Sequence, residues 1–71
     1  PMRYAVVIET TASGYSAWLP DLPGCVAAAE TIDEVERLIA EAVAFHIDGL
    51  RADGLPVPAP RVTVSTVDVA V

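Results

Sequence analysis

Hydrophobic and polar residues alternate in the first third of the chain, which is the spacing of half-buried β-strands. Residues 3–12, RYAVVIETTA, are rich in β-branched side chains and place apolar residues on both faces. Residues 15–19, YSAWL, alternate again after the turn signal Ser13-Gly14, so the two segments predict a β-hairpin. A short third strand of mostly small side chains is predicted over residues 25–30.

A stiff loop separates the second and third predicted strands. Its sequence is PDLPGC, with Leu22 held extended because it precedes a proline. Pro23-Gly24 fits the two central positions of a type II turn, where glycine supplies the positive φ. The sequence therefore predicts a sharp reversal of the chain at this loop.

The middle of the chain has the spacing of an amphipathic helix. Thr31-Ile32-Asp33-Glu34 is a capping box that predicts the helix start, and Asp53-Gly54 predicts its end. The predicted apolar face is broad. It comprises Ile32, Val35, Leu38, Ile39, Ala42, Val43 and Phe45, with Leu50 below. The opposite stripe is formed by Asp33, Arg37, Glu41, Ala44, Asp48 and Arg51.

Two further segments follow the helix. Residues 55–61, LPVPAPR, alternate prolines and predict an extended connector. Residues 62–71 are valine-rich and strand-like, but their valines occupy one parity before Ser65-Thr66 and the opposite parity after it. Such a slip indicates a bulge, or a strand that changes partner midway.

The predicted order of elements is β-β-β-α-β, in a single domain over residues 2–71. The fourth strand runs parallel to the first, and a right-handed crossover places it beside the first strand, in the sheet order 4-1-2-3. The predicted fold class is therefore α+β, with two layers and one helix on one face of a mixed sheet. We interpret Pro1, which precedes Met2, as a remnant of tag removal and leave it out of the fold.

Composition limits the classes of partner and the ways of stabilising the domain. A chain of 71 residues buries only about 60% of its unfolded surface, and one cysteine cannot form an internal disulfide, so we predict a dimer or a larger homo-oligomer. Ten acidic residues against four arginines give a net charge of −6, which disfavours direct binding to nucleic acid and favours a basic protein partner. The apolar runs are too short for a membrane span, and a free cysteine fits a reducing compartment, so a cytoplasmic location is predicted.

No residue pattern supports catalysis. Cys25 and His46 are the one conceivable nucleophile–base pair, and no third orienting group has a recognisable spacing. A lone cysteine at a strand start is typical of a small buried hydrophobe, and His46 falls inside the apolar arc of the helix. Asp21, Glu30, Asp33 and Glu34 could be imagined as a metal cluster, but the helix start explains Asp33 and Glu34 better. We predict no enzyme activity, no cofactor and no metal site.

The sheet face turned away from the helix is the more informative feature. Tyr4, Val6, Ile8, Ala17 and Leu19 are predicted to meet the helix, which turns Ala5, Val7, Trp18, Val26 and Ala28 the other way. A contiguous apolar patch that contains a tryptophan favours a burial partner. The residues predicted to bind a partner are Trp18 with Asp21 beside it, and the helix stripe of Glu34, Glu41 and Asp48.

As a whole, the sequence resembles the HicB family of antitoxins. The matching segments are RYAVVIE, GYSAWLPDLPGC, the helix start TIDEVERLIAEAV, the helix end DGLRADG and the connector LPVPAP, which together cover residues 3–61. One departure is Ala29-Glu30 before Thr31, where the family tends to have Gly-Asp; the capping box is retained.

The resemblance implies a partly ribonuclease-H-like fold and an inhibitor that blocks the catalytic histidine of a small mRNA-cleaving toxin, HicA. Many relatives append a DNA-binding domain that binds the operon's promoter; this sequence has none after its last strand, so we expect no direct DNA binding. A stand-alone homo-oligomer without a toxin is the alternative. A ribonuclease-H-like enzyme is disfavoured because two-metal chemistry needs several carboxylates, and Glu9 is the one acid in the first two strands.

Overall fold

A three-stranded sheet and one helix form the regular structure of residues 2–71, the part of the chain that the computed structural model describes. The strands are β1 (Val7–Thr10), β2 (Tyr15–Trp18) and β3 (Val26–Ala29), and the helix is α1 (Ile32–Ala52). The sheet is antiparallel in the order β1-β2-β3, and α1 packs on one face. The predicted α+β class with a single helix is confirmed.

The first hairpin lies within the two segments predicted for it. Val7 lies opposite Trp18, and the turn is closed by a hydrogen bond from the Thr11 N–H to the Gly14 carbonyl oxygen at 2.8 Å. Gly14 lies so close to β3 that a Cβ atom there would overlap the backbone carbonyl of Ala29. A glycine is therefore required at this turn because the next strand leaves no room for a side chain.

The proline-glycine loop is a structural corner. The Cys25 N–H donates to the Leu22 carbonyl oxygen at 3.2 Å across Pro23-Gly24, and Gly24 has a φ of 95°, as the predicted type II turn requires. The turn also directs Leu22 into the core, where its side chain is fully buried. The loop therefore supports the fold.

The helix begins and ends at the predicted residues. The Thr31 hydroxyl oxygen accepts the Glu34 N–H at 3.1 Å, which satisfies one of the first free N–H groups of α1. At the other end, Asp53 is the C-cap, and the Leu55 N–H donates to the Leu50 carbonyl at 2.9 Å. These hydrogen bonds satisfy backbone groups at both ends of the helix, which is much longer than the strands it packs on.

The core lies between β2, the loop and α1, and it is small. Its buried members are Ala17, Leu19, Leu22, Cys25, Val35 and Ile39. Among residues 2–71 it contains no buried charged side chain. A core of six residues leaves little reserve of stability, which fits the general expectation for a domain of this size.

The helix buries only part of its broad predicted apolar face. Phe45 is 82% exposed and Ile32 is 45% exposed, whereas Val35 and Ile39 are buried. Phe45 follows Val35 by ten residues, which places it about 80° around the helix axis. The narrow sheet covers only the centre of the broad apolar arc, so its flank stays in solvent.

The predicted fourth strand does not join the sheet in this single chain. Within residues 62–71, the structure contains no strand. The observed sheet order is therefore β1-β2-β3, in place of the predicted order 4-1-2-3. Residues 62–64 approach residues 3–5, but β1 itself begins only at Val7. Because the valine alternation breaks at Ser65-Thr66, one continuous register cannot direct all five valines to the same face.

Long-range hydrogen bonds hold the connector to the body of the protein. The Tyr4 hydroxyl donates to the Pro58 carbonyl oxygen, and the connector remains extended, as the prolines predict.

Within residues 2–71, no helix has the length and apolarity needed to cross a membrane.

Candidate protein-binding surfaces

The face of the sheet opposite α1 is open and partly apolar. Val7, Trp18 and Val26 form one row across the three strands, because each lies opposite the next in the strand register. Trp18 is 41% exposed and Val26 is 68% exposed, whereas Ala17, the next residue along β2, is buried. The predicted division of the sheet into a covered and an open face is confirmed.

A carboxylate fixes the indole of Trp18 on this face. The Trp18 Nε1–H donates to Glu9 Oε1 at 2.9 Å. Sequence reasoning missed Glu9 as a member of the surface, although the register could have found it: Glu9 is two residues beyond Val7, the cross-strand partner of Trp18. The exposed tryptophan is therefore oriented by its own chain.

Asp21 has a structural role in the chain itself. Its Oδ2 atom accepts the backbone N–H groups of Arg61 and Val62, at 3.0 and 3.1 Å. The carboxylate thus ties the loop to the end of the proline connector, forty residues later. These two hydrogen bonds account for an aspartate at this position, and no binding partner is needed to explain it.

The other predicted acids lie on α1, away from Trp18. Glu34, Glu41 and Asp48 are exposed and follow one another at intervals of seven residues, which places them on one flank of the helix. Glu41 Oε2 pairs with Arg37 Nη1 at 2.7 Å, with both side chains more than half exposed. The five residues predicted to bind a partner therefore fall into three groups. Trp18 lies on the open sheet face, Asp21 holds the connector, and the three remaining acids lie on α1.

Phe45 belongs to the same flank of the helix. It follows Glu41 by four residues and precedes Asp48 by three, and both intervals bring side chains together on a helix surface. We call Glu34, Glu41, Phe45 and Asp48 the acidic flank. An almost fully exposed aromatic ring among carboxylates is the arrangement expected of an apolar anchor for a basic partner.

A third feature is an apolar groove between α1 and the segment that contains β1. The helix packs over β3 and β2, while Tyr4, Val6 and Ile8 pack against the edge of the core. The resulting groove measures about 390 Å³ and is lined by Tyr4, Val6, Ile8, Leu19, Ile39 and Val43, with Met2, Arg3, Glu36 and Ala40 at its margin. Within residues 2–71, no strand lies beside the outer edge of β1.

The nucleophile considered in the sequence lies in the core. Cys25 is buried, and this burial raises the pKa of its thiol, which keeps the sulfur protonated and unreactive at neutral pH. His46 is half-buried on α1. Among residues 2–71, no group of three or more His, Cys, Asp or Glu side chains is placed to hold a metal ion.

Comparison with known proteins points to one family. A family model described as the HicB-like antitoxin of bacterial toxin-antitoxin systems matches residues 4–69. An uncharacterised 14.9 kDa protein from the rep-hol intergenic region of Haemophilus phage HP1 is 39% identical over 57 residues, which are 80% of this chain and 43% of that protein. The chain thus spans less than half of that relative.

Solved structures give the same similarity at the level of the fold. A chain of the HicA3 and HicB3 toxin-antitoxin complex superposes with a TM-score of 0.71 at 33% identity, covering 84% of this chain and 70% of that one. The crystal structure of the antitoxin HicB3 superposes with a TM-score of 0.69 at 35% identity, covering 80% of this chain and 42% of that one.

Proposed function

We propose that this chain, which belongs to the HicB-like antitoxin family, neutralises a small HicA-type mRNA-cleaving toxin by binding over its active site. The observation that carries the proposal is the likeness to a chain that was solved in a toxin-antitoxin complex. In this role the protein acts by occupying a surface, without catalytic turnover, and it acts in the cytoplasm, where mRNA is translated.

Charge supports a basic partner. A toxin that cleaves RNA must attract phosphates with a basic surface, and this chain has a net charge of −6. Opposite fields accelerate encounter and exclude like-charged competitors. An acidic inhibitor can therefore occupy the RNA-binding face of such a toxin by offering carboxylates where the phosphates would lie.

We place the toxin contact on the acidic flank of α1. Its three carboxylates surround Phe45, and the neighbouring arginine, Arg37, is already paired with Glu41. The open sheet face, by contrast, has an exposed Trp18 but only Glu9 beside it, and that carboxylate is engaged by the indole. Trp18 is accordingly the second candidate for the toxin contact.

The test is inhibition of RNA cleavage by a HicA-type toxin, measured with Phe45→Ala. The ring is 82% exposed, so its removal should leave folding intact while weakening toxin binding by about 2 kcal/mol or more. Leu55→Ala is a matched control, since it truncates another exposed apolar side chain, which follows the end of α1 and lies on neither candidate surface. Trp18→Ala tests the second surface in the same assay.

The alternative function is a homo-oligomer with no toxin. It is favoured by the exposed valines at positions 67, 69 and 71. If the unchanged protein inhibits no HicA-type toxin, the antitoxin proposal fails. If Phe45→Ala and Trp18→Ala both inhibit the toxin as well as the unchanged protein, the toxin contact lies on neither of the two proposed surfaces. A promoter-binding measurement on the 71-residue chain tests the further expectation that it does not bind DNA by itself.

A further inference from the structure

The valine-rich segment, residues 62–71, is exposed along its whole length. Val67 is 83% exposed and Val69 is 67% exposed, although valine is among the residues most often buried in proteins. The segment has one charged side chain, Asp68, and strong β-propensity. An exposed strand-forming segment of this kind is a ready template for pairing with another backbone.

The molecule is more extended than a compact chain of its length. The radius of gyration is 13.9 Å, whereas a compact chain of this length has about 11 Å. The longest extent is 49 Å, and α1 accounts for only about 30 Å of it. Asp21 anchors the start of the segment at Arg61 and Val62, so the free part lies beyond residue 64.

The same chain also has an unfilled place for a strand. β1 is an edge strand of four residues, and the apolar groove lies between it and α1. A strand laid along this edge, with apolar side chains on its helix-facing side, would cover Val6, Ile8 and Val43. Residues 67–71 fit this description, because their three valines share one parity and five extended residues are enough to cover the four of β1.

We propose that residues 67–71 of one copy pair with the outer edge of β1 in a second copy, and that the exchange is reciprocal. The segment follows its own chain through residues 62–64 and changes to the second copy at Ser65-Thr66, where the valine parity changes. The two pairings are related by a twofold axis, so the exchange forms a closed dimer. This inference does not depend on the proposed toxin.

The first experiment measures the mass and the dimer dissociation constant by sedimentation. The unchanged chain should have twice its single-chain mass of 7.4 kDa. Val69→Asp places a charge against the groove and should raise the dissociation constant about tenfold or more. Ala70→Asp adds the same charge on the opposite face of the strand and should change it by about twofold at most. Both positions are exposed in the single chain, so helix content should be unchanged.

The second experiment identifies the pairing by cross-linking with a bismaleimide, in a Cys25→Ala background. One chain has Glu9→Cys in β1, and the other has Ala70→Cys in the segment, because both positions would lie on the sheet face turned away from the groove. Mixed cross-linked dimers are expected. Three results would each overturn the proposal. They are a monomeric mass, a cross-link within a single chain that carries both new cysteines, and exclusive pairing of Ala70→Cys with itself.

Discussion

At the scale of single residues, burial changes the acid–base chemistry of Cys25. Because burial raises the pKa of this thiol in the folded protein, the unfolded chain loses the proton first, near the usual value of 9.0. The contribution to stability is therefore complete below that pH and is lost as the pH rises through the raised pKa. We expect the free energy of unfolding to fall more steeply at alkaline pH in the unchanged protein than in Cys25→Ala. Urea unfolding of both proteins at several pH values, from neutral to about pH 10.5, gives the change of the free energy of unfolding with pH for each. The same dependence on pH in both proteins would contradict a buried, protonated thiol.

At the scale of elements, α1 depends on its first turn. The hydrogen bond between the Thr31 hydroxyl and the Glu34 N–H is a local interaction that needs no tertiary contact. Thr31→Ala removes it and should lower the free energy of unfolding by about 1 kcal/mol, whereas Thr31→Ser keeps the oxygen and should lower it by a few tenths at most. Urea unfolding with an unchanged slope is the measurement. An identical loss in both variants would show that the cap contributes nothing.

At the scale of the whole molecule, the net charge of −6 acts on the two proposed interactions with opposite signs. Two acidic copies repel each other, so screening by salt should strengthen the exchanged dimer. A basic toxin is attracted, so the same salt should slow its association. Sedimentation and association kinetics from about 0.05 to 0.5 M salt separate the two effects. A dimer that weakens in salt would show that ion pairs, and not backbone pairing with apolar contact, hold the copies together.

The same charge allows a control for the toxin contact. Glu41→Gln lies at the margin of the acidic flank and should slow toxin association mainly at low salt. Glu36→Gln removes an equal charge from the opposite side of α1, at the margin of the apolar groove. Surface plasmon resonance with both variants distinguishes a local contact from the general field. Equal slowing by both would place the toxin elsewhere than the acidic flank.

Features that depend on a few neighbouring residues could be predicted from the sequence. The hairpin, the type II turn at Pro23-Gly24 and the capped helix all follow from spacing and from the conformations that proline, glycine and threonine favour. Strand alternation was also enough to assign Trp18 to the open face, because successive side chains must point to opposite sides. Such information is local, and tertiary packing confirmed it.

Other features were decided only when the layers packed together. The width of the apolar arc could not show that a narrow sheet leaves Phe45 in solvent, since burial depends on the size of the opposing surface. The bond of Asp21 to the connector joins residues forty positions apart, which no short pattern encodes. The valine segment has the composition of a strand, yet a strand exists only with a partner, and whether the partner belongs to the same chain or to another depends on tertiary and quaternary contacts.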